Sequence, residues 1–142
     1  MTLYHINEGV LDLPDDWTDR SMNIFTPDES ENPEWNIVLS RDKLEIGETL
    51  AGYLEKQLAE MPKALPRFRL ISDEEIMIND VPAREVVSTW IGDGGTVRQK
   101  QMVFVINDKS LVFTFTVLER LYSQHSTVLN DFVKTFTVRR ES

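Results

Sequence analysis

Apolar and polar residues alternate most regularly between residues 96 and 118, and this stretch predicts a β-hairpin. Its two arms, residues 96–106 and 111–118, are rich in β-branched and aromatic residues, which suit a half-buried pleated surface. The polar segment 107–110 between them has the length of a hairpin turn. Because side chains alternate across a strand, the first arm has two faces, formed by Gln99, Gln101, Val103 and Val105 on one side and by Lys100, Met102, Phe104 and Ile106 on the other.

Both faces of this hairpin are apolar near its turn. The helices of the chain can cover one face, but the predicted helical content is too small to cover both. We therefore expect the second face to meet another sheet or subunit, or to form a binding surface.

The remaining pattern predicts a single domain over residues 1–142 with further short strands and two amphipathic helices. The strands are predicted at 3–6, 10–13, 20–25, 35–40, 68–78 and 84–90. The first helix is predicted at 48–61, ending before Pro62, and the second at 121–136 with Ser123 as a possible N-cap. This order indicates an α+β fold, with an antiparallel twisted sheet of about six to eight strands and two main helices packed on one face.

Composition and charge limit the partners that the chain can have. A net charge of −9 disfavours nucleic acid and direct insertion into anionic membranes, because both need a basic protein surface. The absence of cysteine excludes disulfides and thiolate chemistry. Residues 1–8 lack the basic and apolar regions of a signal peptide, so we expect a cytoplasmic protein.

The sequence gives no reason to expect an enzyme. His5 and His125 belong to no recognisable catalytic motif, and no phosphate-binding loop, nucleophile elbow or metalloprotease motif is present. We predict no catalytic residues, no cofactor and no metal site. His125 lies on the apolar stripe of the second helix, where a partly buried, hydrogen-bonded histidine is the expected structure.

Two places outside the hairpin have two possible interpretations. Met22 and Ile24 share one face of a predicted strand and are either core residues or part of an exposed apolar surface. Gln57 lies four residues after Tyr53 on the flank of the first helix. It is either solvated or at the edge of an apolar contact.

Several short segments carry a family resemblance by their order and spacing: MTLY at 1–4, NE at 7–8, LPD at 13–15, Trp17, DRSMNIF at 19–25, SRD at 40–42, YLEKQL at 53–58 and LPRF at 65–68. In these segments the chain resembles the Eag chaperones, which are DcrB-like proteins associated with type VI secretion effectors. The resemblance implies a PsbP-like fold, a homodimer and a cytoplasmic location. It also implies that the protein holds the N-terminal transmembrane segments of a PAAR- or Rhs-containing effector and helps to load that effector onto the VgrG spike.

The resemblance also indicates binding residues, since Ile24, Gln57 and Gln101 correspond to positions at which members of the family bind their effectors. An apolar cup around them could replace lipid as the solvent of a transmembrane helix, and neutral glutamines could donate hydrogen bonds to it. The predicted effector-binding residues are Met22, Ile24, Val38, Gln57, Gln101, Val103 and Val105.

Two other functions compete with this one. An immunity-like or regulatory protein would bind a folded toxin domain through the acidic loops. A small enzyme or ligand-binding protein would need a closed pocket with converging polar groups.

Overall fold

The computed structural model describes residues 2–138 and has an α+β architecture, which confirms the predicted fold class. The strands are β1 (Thr2–Ile6), β2 (Gly9–Leu13), β3 (Asn23–Phe25), β4 (Trp35–Lys43), β5 (Arg69–Ile78), β6 (Val81–Gly92), β7 (Gly95–Ile106) and β8 (Lys109–Leu118). The helices are α1 (Leu50–Ala64), α2 (Tyr122–His125) and α3 (Val128–Val133), and a 3₁₀ turn (Glu119–Leu121) joins β8 to α2.

Six strands form one antiparallel sheet in the order β3-β4-β8-β7-β6-β5. The predicted hairpin is its centre, because β7 and β8 pair along their whole length down to Ile106 opposite Lys109. The turn is shorter than predicted and consists of Asn107 and Asp108, whose φ angles are +51° and +63°. Asn and Asp tolerate this left-handed conformation, which a two-residue turn of type I′ requires.

The side of the sheet that bears Phe104 packs against α3, and we call it the α3 face. Leu129 and Val133 of α3 are fully buried there. Phe25 of β3 contacts Phe132 edge-to-face, with ring centroids 5.5 Å apart. This face therefore carries the larger part of the hydrophobic core.

The opposite side bears Val103 and packs against α1, and we call it the α1 face. Tyr53 and Leu54 of α1 are buried in one cluster with Val103 and Val112. The two helical regions thus lie on opposite faces, and the prediction that both pack on one face is corrected. The physical reason is the double-sided apolar character of β7, since each face needs a cover and each helical region supplies one.

Helix α1 begins at a conventional cap and runs one turn further than predicted. The Thr49 Oγ1 accepts a hydrogen bond from the Gly52 backbone N–H at 3.1 Å, which caps the first turn. Pro62 lies inside the last turn, and the Leu65 N–H still donates to the Met61 carbonyl at 2.9 Å. Proline here removes one donor without ending the helix. None of the helices in residues 2–138 is long and apolar enough to cross a membrane.

The predicted helix at 121–136 is not continuous. It is divided into the 3₁₀ turn, α2 and α3, and Ser126 and Thr127 lie between α2 and α3. Ser123 does not cap it, because α2 already begins at Tyr122. His125 is half-buried and its Nε2 lies 2.7 Å from the Glu34 Oε2, so the expected hydrogen-bonded histidine is confirmed.

Strands β1 and β2 form a hairpin of their own, outside the main sheet. The Tyr4 hydroxyl links it to Ser21 Oγ at 2.6 Å, just before β3. Leu3, Val10 and Leu11 of this hairpin are exposed. The hairpin therefore presents apolar surface that the rest of its own domain does not cover.

Candidate functional site

One row of side chains crosses the α1 face at the height of Ile24. The register pairs Ile24 with Val38, Val38 with Thr114, and Thr114 with Gln101, so these four residues lie side by side on β3, β4, β8 and β7. Residues paired in register point to the same side of the sheet. The structure therefore brings together three residues that are far apart in sequence and that we predicted for the site: Ile24, Val38 and Gln101.

Helix α1 divides this face into a covered part and an open part. The next row towards the β7–β8 turn contains Val112 and Val103, which are buried under α1. Val103 is only 1% exposed, and Val105 is half-buried against the same cluster. The prediction that Val103 and Val105 line an open surface therefore does not fit this structure, because α1 covers them.

The open part is most exposed at its β3 border. Ile24 is 65% exposed and Met22, just before β3, is 59% exposed, although both are large apolar side chains. Val38 and Gln101 beside them are half-buried. Of the predicted site residues, Met22 and Ile24 thus offer the most apolar contact area.

Gln57 lies on α1, one turn after Tyr53. The Tyr53 hydroxyl donates a hydrogen bond to the Asp42 Oδ2 at 2.9 Å, so this flank of the helix is turned towards β4. Gln57 follows one turn later on the same flank and is exposed. Ile24, Val38 and Gln101 therefore lie on one face of the sheet, and Met22 and Gln57 are exposed.

The hydrogen-bonding side chains in the row of Gln101 carry no charge. The Gln101 Nε2 donates to the Thr114 Oγ1 at 3.2 Å, which fixes the amide over β7 and β8. The amide keeps a second N–H and a carbonyl oxygen for a partner. The neighbouring row on this face consists of Asn36, Thr116 and Gln99, which were not among the predicted site residues, although the alternation of side chains placed Gln99 on the face of Gln101.

A charged pair with two short hydrogen bonds lies on the opposite face of the sheet. Arg98 points to the α3 face, where its guanidinium donates two hydrogen bonds to the Glu119 carboxylate at 2.6 and 2.9 Å. This arginine lowers the pKa of Glu119 and the pKa of Arg98 is correspondingly raised. Burial raises the pKa of Tyr53, so its hydroxyl stays protonated as a donor to Asp42.

Two cavities lie away from the open part. The larger one, about 500 Å³, lies between the start of α1 and the β5–β6 hairpin, and its lining includes Leu50, Met77 and Pro82. Arg84 also lines it, but its guanidinium is engaged by Asp73 at 2.6 and 2.9 Å. Within residues 2–138 no three His, Asp or Glu side chains converge as metal ligands.

Comparison with known proteins places this geometry in a family. The family model described as DcrB matches residues 8–135. The chain is 29% identical to "Effector EagT6" of Pseudomonas aeruginosa over 140 residues, which is 98% of this chain and 97% of that protein.

Two solved structures share the fold of this chain. The chain superposes on PA94 of Pseudomonas aeruginosa, described as a protein of unknown function, with a TM-score of 0.83 and 29% identity, covering 99% of both chains. It superposes on the PsbP protein of the cyanobacterium Synechocystis (CyanoP) with a TM-score of 0.59 and 11% identity, covering 91% of this chain and 99% of that one. The second likeness confirms the PsbP-like fold, and the family match covers nearly the whole chain: this protein belongs to the DcrB family.

Proposed function

We propose that this protein is a chaperone associated with type VI secretion effectors. In this proposal the open part of the α1 face binds the N-terminal transmembrane region of a PAAR- or Rhs-type effector in the cytoplasm, and the complex helps to deliver the effector to the VgrG spike. The relationship to "Effector EagT6" across both chains supports the effector association. The observation that carries the proposal is the exposed apolar border formed by Met22 and Ile24 beside a neutral surface.

The physical need for such a surface follows from the effector segment. A transmembrane helix of about 20 residues is about 30 Å long and aggregates when water surrounds it. Burying the exposed two-thirds of Ile24 against such a helix would contribute about 1–2 kcal/mol. Several contacts of this size would be needed to offset the cost of ordering the complex.

A homodimer would give the surface the necessary width. From β3 to β7 the open part spans three strand spacings, about 14 Å, which accommodates one helix of about 10 Å diameter. A domain of this length has a radius of gyration of only about 15 Å, so one copy cannot cover a bundle of helices. The exposed Leu3, Val10 and Leu11 of the β1–β2 hairpin are available for contacts between copies.

The decisive test is co-expression of the chain with the N-terminal segment of its effector. Ile24→Asp would place a carboxylate against the bound helix, so we expect at least about 100-fold weaker capture and loss of effector accumulation. Ile24 is mostly exposed, so the variant should remain folded by circular dichroism.

The matched control is Ile46→Asp, which makes the same change at a fully exposed isoleucine between β4 and α1. It should capture the segment as the unaltered chain does. Unchanged capture by folded Ile24→Asp would contradict the proposed site. Capture of the isolated toxin domain in place of the N-terminal segment would support a regulatory or immunity-like protein and contradict the chaperone.

A further inference from the structure

The outer side of β5 is an open edge of the main sheet. The strand order ends at β5, which pairs with β6 on one side, and no strand within residues 2–138 pairs with its other side. The opposite end of the sheet is formed by β3, which has only 3 residues. Because β5 has 10 residues, it offers the longer row of backbone N–H and C=O groups to an additional strand.

The regular part of this edge follows a β-bulge. The register of β5 against β6 shifts between Leu70 and Ser72, and it then continues without interruption to Ile78 opposite Val81. A bulge bends the strand and disrupts the ladder locally. Residues 72–78 are therefore the stretch that can pair continuously with a further strand, over a length of about 20 Å.

A cavity lies on each face of the sheet beside this stretch. Ile76 and Ile78 pack with the core of the α3 face and line a cavity of about 430 Å³ next to α3. Because side chains alternate, Glu75 and Met77 point to the α1 face, where they line the cavity of about 500 Å³ at the start of α1. The side chains of an added strand would alternate between the same two faces. Pockets for alternate side chains are what gives strand addition its specificity.

Two exposed carboxylates lie in the middle of the stretch. Glu74 and Glu75 form no ion pair or side-chain hydrogen bond within the described part of the chain, whereas the neighbouring Asp73 is paired with Arg84. Glu74 is directly opposite Glu85 of β6, and like charges in this position repel each other. A cationic side chain on a neighbouring strand would relieve this repulsion.

We propose that the edge of β5 binds an extended, basic segment of a partner protein by strand addition. The segment would pair its backbone with residues 72–78 and place two adjacent basic residues next to Glu74 and Glu75, one on each face. The following two residues would be apolar, because they would lie next to Ile76 and Met77 at the two cavities. The inference goes beyond the proposed function and does not depend on it, since β5 and β3 form opposite ends of the sheet.

The charges of the edge also determine which strands it rejects. The β5 edge of a second copy would bring further carboxylates next to Glu74 and Glu75 without supplying a counter-charge. An acidic segment would meet the same repulsion. Lys134 lines the cavity on the α3 face, so that cavity suits an apolar side chain better than a second cation.

The test uses two fluorescein-labelled peptides and fluorescence anisotropy. The first peptide, Thr-Leu-Val-Lys-Lys-Val-Leu-Thr, has a symmetric pattern and can therefore pair with β5 in either direction. The second peptide carries glutamate in place of both lysines. We expect the unaltered chain to bind the lysine peptide at least about tenfold more tightly, because the exchange turns two attractions into repulsions.

Charge reversal of the edge should reverse this preference. The double variant Glu74→Lys/Glu75→Lys should bind the glutamate peptide more tightly, and it should remain folded by circular dichroism because both side chains are exposed. The matched control is Glu29→Lys/Glu31→Lys, at exposed positions between β3 and β4. Each substitution adds +2, so the net charge of both double variants changes from −9 to −5. The control should keep the preference for the lysine peptide.

A third peptide separates backbone pairing from attraction between charges. It is the lysine peptide with methylated backbone nitrogens at its four central residues, so it keeps both charges but lacks the N–H donors of a strand. It should bind at least about tenfold more weakly, and the unmodified lysine peptide should slow hydrogen exchange of the backbone amides of residues 72–78.

Several results would overturn the inference. Equal binding of the lysine and glutamate peptides by the unaltered chain, or an unchanged preference in Glu74→Lys/Glu75→Lys, would exclude recognition by these carboxylates. A reversed preference in the control would show attraction to the acidic protein as a whole. Unimpaired binding of the methylated peptide would exclude strand addition.

Discussion

Val103 separates the covered part of the α1 face from the open part, and its truncation tests that division. Val103→Ala removes two methyl groups from a side chain that is 1% exposed beneath α1. The lost transfer free energy is about 1.6 kcal/mol, and the cavity left behind raises the total to about 2–3 kcal/mol. Val38→Ala makes the same change at a half-buried position of the open part, so we expect it to cost less than about 1 kcal/mol.

Urea unfolding followed by circular dichroism measures both variants, and the same samples serve for capture of the effector segment. We expect Val103→Ala to lower the free energy of unfolding by about 2–3 kcal/mol and to bind normally while folded. Val38→Ala should weaken binding and leave stability nearly unchanged. If Val103→Ala were as stable as the unaltered chain and lost binding, α1 would not cover this position in solution, and the division of the face would be refuted.

Three further predictions concern single polar groups. Gln101→Ala should weaken capture of the effector segment by about 1 kcal/mol, or about fivefold, and an unchanged dissociation constant would remove this amide from the site. Because the pKa of Tyr53 is raised, its contribution to stability is complete below about pH 10 and is lost as the pH rises through the folded-state pKa. Tyr53→Phe breaks the hydrogen bond to Asp42 and should remove the latest phase of an absorbance titration of the tyrosines. Because the pKa of Glu119 is lowered, its contribution to stability is complete above about pH 4.3 and is lost as the pH falls through the folded-state pKa. Glu119→Gln should therefore lower the free energy of unfolding by at most about 1 kcal/mol at pH 7 and should not change it at strongly acid pH. An equal loss of stability at both pH values would argue against the Arg98–Glu119 ion pair.

The sequence was sufficient to predict most of the sheet. Period-two alternation and turn residues located β7 and β8 to within one or two residues, because strands and turns are set by neighbours in sequence. The helices were less certain. Pro62 predicted an end at residue 61, yet one missing donor in the last turn did not stop α1 before Ala64.

The candidate site shows a different limit. Alternation assigned Val103 and Gln101 to one face correctly, but it gave no information on how far α1 reaches along that face. One residue is therefore buried and the other half-exposed, although they are two positions apart. The juxtaposition of Ile24 with Val38 likewise depends on strand order, which pairs segments distant in sequence.

The most direct measurement of the central claim is site-specific photo-crosslinking with benzoylphenylalanine at position 24, carried out in cells that express the effector. The account predicts a crosslink from position 24 to the effector's N-terminal transmembrane region, and none from position 46, whose isoleucine is equally apolar and fully exposed. Crosslinks from position 46 alone, or from position 24 only to the folded toxin domain, would contradict the account.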